Sequence, residues 1–175
     1  MARGDVTPDE ARDALRTVGL GDWLDGLPEG LGTMVGSDAA AVSGGERRRL
    51  LVARALLAPA RVLLVDEPAE HLDATTADAL VRTLVEHARA TGRAVLLATH
   101  RLSPLDAVDE VLVLRRADSG DDPAAAGEPA AGEPAAGEPA AGEPARVWAR
   151  GTHAHLLATD EAYAWAAAAE TIAPR

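Results

Sequence analysis

Three absences shape the first reading of this 175-residue chain. It has no cysteine, which excludes disulfides, thiolate metal sites, CxxC redox pairs and cysteine nucleophiles, and leaves a reducing cytoplasm as the expected compartment. All 17 basic residues are arginines, so chemistry that needs a lysine ammonium, including a lysine-bearing phosphate loop, is excluded. There is no phenylalanine and aromatics make up 2%, so leucine, valine and alanine must fill the core and base-stacking platforms are not expected. No apolar run approaches the roughly 18–20 residues that cross a bilayer, and the start, Met1 to Glu10, is polar and acidic without a signal-peptide core.

What is present is acidic. With 28 acidic side chains against 17 basic ones the net charge is -11, which argues against nucleic acid or an anionic lipid surface as main partner; Arg47-Arg48-Arg49 is the only basic run. A hydrophobic fraction of 47% suffices for one compact domain of ordinary size. One segment stands apart: residues 125–144 repeat Ala-Ala-Gly-Glu-Pro four times. Regular proline breaks helices and nothing larger than glutamate is available to bury, so residues 117–145 are expected to form a solvated linker.

Elsewhere the pattern predicts alternating elements. Thr7-Pro8-Asp9-Glu10 reads as a capping box opening a helix to about Val18, and a second helix is expected over Asp22 to Leu27. Ser43-Gly44-Gly45-Glu46 is another capping box, before a helix from Arg47 to Ala58. Val62 to Val65 and Ala94 to Ala98 are apolar runs without polar alternation, which suits strands buried on both faces. The amphipathic helix between them, Ala74 to Ala90, makes a parallel crossover. Further strands are expected at Glu110–Leu114 and Arg146–Ala149, and a last helix at Asp160–Glu170.

Three groups of residues could carry chemistry. Asp66 and Glu67 leave the first strand at its carboxyl end, where open parallel sheets place ligand groups, and they point in different directions; one carboxylate can serve a Mg2+ shell while the other reaches an attacking water. His100 leaves the next strand at the equivalent end, facing the same crevice. Ser43, Gly44 and Gly45 open a helix whose backbone N–H groups could meet an anion. Singly, each also reads as an ordinary cap or turn.

Their order and spacing are more specific. Val42-Ser43-Gly44-Gly45-Glu46, then Val62-Leu63-Leu64-Val65-Asp66-Glu67-Pro68, then Leu72-Asp73, then Thr99-His100-Arg101 closely resembles the C-terminal part of an ATP-binding cassette, the nucleotide-binding domain of ABC transporters. The resemblance implies an α/β, P-loop NTPase-type fold, a parallel sheet core with flanking helices, whose N-terminal phosphate-loop half is missing here. It implies that Ser43, Gly44, Gly45 and Glu46 form the signature motif, that Asp66 lies near Mg2+, that Glu67 is the general base, that Asp73 is the dimer-interface aspartate and that His100 contacts the terminal phosphate of ATP. Leu27-Pro28-Glu29-Gly30-Leu31 and Thr33-Met34-Val35-Gly36 resemble the end of the helical subdomain and the loop that meets the membrane domain in exporters. The segments so implied are 1–42 for that subdomain and loop, 43–116 for the catalytic core, and 146–175 for the terminal strand and helices. Glu46-Arg47-Arg48-Arg49 and residues 66–73 resemble, more narrowly, the half-transporters that export cysteine or glutathione for cytochrome bd assembly.

Departures matter as well. No phosphate-loop lysine exists, no adenine-stacking aromatic precedes one, and Gly30-x-Gly32-x-x-x-Gly36-Ser37 lacks the loop's spacing. Ser37 to Ala41 lacks the glutamate often found in that loop. The expectation is therefore an exporter ATPase portion that requires a phosphate-loop half, a second cassette head to tail and a membrane domain at the inner face of the membrane, that does not hydrolyse ATP alone, and that exposes an apolar sheet face. A non-catalytic module lending its signature motif to another cassette, and a DNA-repair or chromosome-maintenance ATPase lobe, are the alternatives; no heptad run precedes Ser43 to favour the latter.

Overall fold

The computed structural model describes residues 5–34, 42–115 and 145–172, which form two compact units, one ending at Ala107 and the other starting at Val108. The first unit opens with α1 (Pro8–Thr17), where the predicted capping box forms: Thr7 Oγ1 accepts from Glu10 N at 3.2 Å and the Glu10 carboxylate accepts from Thr7 N at 2.8 Å. α2 (Gly21–Asp25) follows, then a 3-10 turn at Gly30–Gly32, α3 (Gly44–Leu56), β1 (Val62–Asp66), α4 (Ala74–Thr91), β2 (Ala94–Ala98) and a 3-10 turn at Ser103–Ala107. α4 ends where Gly92 takes φ 65°, a left-handed stop that favours glycine.

β1 and β2 pair in parallel from Val62↔Ala94 to Asp66↔Ala98, with α4 as the crossover. One face of this pair is packed. Leu63 joins Leu15, Leu20 and Leu24 of the first two helical segments, Val52 and Leu56 of α3, and Leu80 and Leu84 of α4 in a single core. The expectation of strands buried on both faces is corrected here. Leu64 is 76% exposed and Leu96 58%, because no described residue covers that side, and the two-sided apolar run shows as the open face also expected above.

Arg93, just before β2, closes the other end of the unit. Its guanidinium donates to the carbonyls of Ala60 and Leu56, both at 2.7 Å, and to that of Ala58, the last-turn and exit carbonyls of α3 that no helical N–H can reach.

In the second unit β3 (Val111–Arg115) and β4 (Arg146–Gly151) pair antiparallel as a two-stranded sheet, with an irregularity between Val113 and Leu114. α5 (His153–Thr159) and α6 (Glu161–Ile172) complete it. α5 was not expected; Thr152 caps it by accepting from His155 N at 3.2 Å, and Leu156 is buried. The repeat tract and residues 35–41 lie outside the described residues.

Candidate functional site

β1 delivers Asp66 exposed at its last position, on the same side of the strand as Leu64. The chain then turns sharply. Glu67 has φ 43°, and its N–H donates to the carbonyl of Ala98, the last residue of β2, at 2.9 Å, so the carboxyl ends of the two strands are tied at backbone level. A left-handed glutamate is strained, and the buried Pro68 and Ala69 hold the turn behind it.

From the end of β2, His100 places Nδ1 2.9 Å from Glu67 Oε1. The two residues expected to act together therefore do meet, across 33 positions of sequence. Their surroundings differ: the His100 side chain is 77% exposed, that of Glu67 31%. Glu67 Oε2 is buried and no described group donates to it, so the carboxylate carries one shielded, unsatisfied oxygen beside the one that meets His100.

The segment Ser43–Glu46 makes a second cluster. Ser43 Oγ accepts from Glu46 N at 3.2 Å and Ser43 N donates to the Glu46 carboxylate at 2.8 Å, a complete capping box that leaves Ser43 and Gly44 exposed at the start of α3. Gly45 faces inward. A Cβ there would stand 2.7 Å from Leu72 Cδ2 and 3.5 Å from the carbonyl of His71, so a larger residue at this close approach of α3 to the turn after Glu67 would require the Leu72 side chain to move. Arg48 and Glu70 form an ion pair across the same contact. This pair escaped sequence reasoning, because Arg48 lies in a basic run that reads as a solvated face. Asp73, next in line, caps α4 by accepting from Thr76 N at 3.0 Å; hydrogen bonds from the Thr76 side chain and backbone hold its carboxyl below the usual value.

Among the described residues no cluster of three or more acidic or histidine side chains is disposed to hold a metal ion. A single exposed carboxylate such as Asp66 suits Mg2+ bound chiefly by water and phosphate oxygens.

Residues 6–70 match the family profile described as ABC transporter. Over 163 residues, 93% of this chain, the sequence is 32% identical to an ATP-dependent lipid A-core flippase of Vibrio cholerae, of which the match covers 23%. It is 40% identical over 111 residues, 63% of this chain and 9% of the other protein, to the multidrug resistance protein sirA of Leptosphaeria maculans. Among solved structures, a bacterial Atm1-family ABC exporter with ATP bound aligns with a TM-score of 0.68 and 26% identity, covering 98% of this chain and 25% of that one. The chain thus spans about a quarter or less of the length of these relatives. The matched proteins are transporters by name, and neither the signature-lending module nor the DNA-repair lobe finds support in them.

Proposed function

We propose that this chain, which has the α/β fold and the sequence of an ABC exporter ATPase domain, supplies the hydrolytic carboxylate, the switch histidine and the signature helix of a cassette completed by a phosphate-loop half. The observation that carries this reading is the Glu67–His100 pair at the adjoining carboxyl ends of two parallel strands. ATP with Mg2+ would bring the terminal phosphate and its charge-neutralising ion to this edge. The chain's own residues then have distinct tasks. Asp66 would hold the ion through water. Glu67, whose Oε1 meets the exposed His100 ring, would accept a hydrogen bond from the attacking water and so orient it. With Nδ1 directed at Glu67, His100 presents Nε2 outward, and that nitrogen donates to a phosphate oxygen when the ring is protonated.

The chain has no lysine and cannot provide the phosphate loop's ammonium, so binding and positioning of the triphosphate depend on the completing half. The open face of β1 and β2, with Leu64 and Leu96, is where that half would pack. Ser43 to Gly45, at the exposed start of α3, would meet the nucleotide of a second cassette placed head to tail, with Asp73 at the same interface. No helix among the described residues is long and apolar enough to cross a membrane, so the transport path would belong to a membrane domain, with this chain at its cytoplasmic face. The segments at Glu46–Arg49 and Asp66–Asp73 favour, as the finer reading, export of cysteine or a glutathione-like thiol.

Calorimetry with Mg-ATP tests the proposal. The chain alone should give no heat of binding. Mixed with a phosphate-loop half from a related exporter, it should support hydrolysis, and Glu67→Gln should abolish turnover while ATP stays bound. Binding by the chain alone, or turnover that survives Glu67→Gln, would refute it.

A further inference from the structure

The exposed ring of His100 has no packing to hold it against Glu67, so its position must come from the backbone that carries it. β2 ends at Ala98, and beyond the Glu67 N–H···O=C Ala98 bond the strand ladder gives no further support. The next residue after His100 is anchored. Arg101 Nη2 donates to Asp78 Oδ1 at 2.8 Å, and Ser103 Oγ donates to the same oxygen at 2.9 Å, with Arg101 Nη2 3.3 Å from Ser103 Oγ. The Arg101 and Asp78 side chains are 20% and 25% exposed, well shielded beside the neighbouring Arg82–Asp106 pair at 45% and 55%. Shielding strengthens a hydrogen-bonded ion pair and makes its loss costly. Asp78 lies about one and a half helical turns beyond Asp73, the cap of α4, and so on the rigid element that begins where the Glu67 turn ends.

We propose that Asp78 is a positioning residue: by gripping Arg101 and Ser103 it ties the loop after β2 to α4 and thereby keeps the His100 imidazole on Glu67. This inference rests on the reading of Glu67 and His100 as the hydrolytic pair. α4 also holds the later part of the segment through Arg82–Asp106 and through Arg89 donating to the Ala107 carbonyl at 2.9 Å, but those ties lie beyond the 3-10 turn's start and bear on the loop's far end. Asp78 holds the end that adjoins the histidine. The geometry separates a local positioning role from general stabilisation, since Arg82 and Asp78 tether one segment at two distances from His100.

The test is 15N-histidine NMR on the full chain, with His100 assigned by a His100→Gln variant. In the wild type the His100 Nδ1 proton should be observed in a hydrogen bond and should vanish in Glu67→Ala, which removes the acceptor. Asp78→Ala and Arg101→Gln should also abolish it, leaving the averaged ring-nitrogen shifts of a free imidazole. Asp78→Glu should restore it, and Arg82→Ala should leave it intact despite removing a tether of the same segment. Asp78→Asn, nearly the same shape as aspartate, covers the case in which Asp78→Ala fails to fold and should weaken the signal. A signal unchanged in a folded Asp78→Ala or Asp78→Asn chain, or lost equally in Arg82→Ala, overturns the positioning role while leaving the Glu67–His100 reading intact. A wild-type signal indifferent to Glu67→Ala overturns both.

Discussion

Removing the Arg93 side chain is the perturbation whose cost the structure allows to be worked out most fully. Its guanidinium serves three carbonyls, those of Leu56, Ala58 and Ala60, and hydrogen bonds to a charged donor are worth about 1.5–3 kcal/mol each. Two effects reduce the total. Ala58 and Ala60 are half-buried, so water reaches their carbonyls once the arginine is gone, and freeing a long side chain returns about 2 kcal/mol of rotamer entropy. Arg93→Ala should therefore cost about 2–4 kcal/mol, a large share of a small domain's stability. Arg93→Lys, with a point charge in place of a fork, should recover part of this. The assay is urea unfolding followed by circular dichroism, with hydrogen exchange of the α3 amides to locate the loss. A cost below about 0.5 kcal/mol, or loosening confined to the second unit, would show that the three carbonyls are adequately served by water and that the clamp argument is wrong.

Other outcomes follow from the same geometry. The His87 imidazole, 3.4 Å from Arg93, is held below its ordinary value of 6.5 first by burial and then by the arginine's charge, so the fold favours the neutral ring; that stability is present above about pH 6.5 and is lost as pH falls through the lower folded value. The urea midpoint should thus fall less steeply on acidification in His87→Gln than in the wild type, and parallel curves would refute this. Gly45→Ala should destabilise by about 1–2 kcal/mol, since moving Leu72 outweighs the gain in helix propensity, and the cost should shrink in a Leu72→Ala background, as a double-mutant cycle would read. Adjacent residues of β1 should behave oppositely: Leu63→Ala, in the core, should cost about 2–4 kcal/mol, whereas Leu64→Thr, 76% exposed, should change stability by less than about 0.5 kcal/mol and reduce self-association in light scattering.

Features written in local chemistry were legible in the sequence. Both capping boxes form between the residues expected, and β2 runs from Ala94 to Ala98 as read. The meeting of Glu67 and His100 was also legible, because a parallel crossover puts the carboxyl ends of its strands side by side. Features that depend on a distant partner were not. Arg101 and Asp78 are 23 residues apart and neither carries a local mark of the other. An apolar run records that a strand can be covered on both faces, not whether the covering residues are in the same chain, and so Leu64 reads as core. α5 has only a lone Thr152 cap, with no glutamate three residues on to complete a capping box, so its start carries a weaker local mark.

The left-handed backbone at Glu67 has a consequence for how this domain would respond to selection. A residue with φ 43° is held against its own preference, at a cost of about 1–3 kcal/mol, and asparagine tolerates that conformation better than glutamate does. Drift toward stability alone would therefore tend to replace Glu67, and a chain released from its task should lose this side chain early while becoming sturdier. Loss of Glu67 with a gain in stability would then mark a chain freed from the proposed reaction.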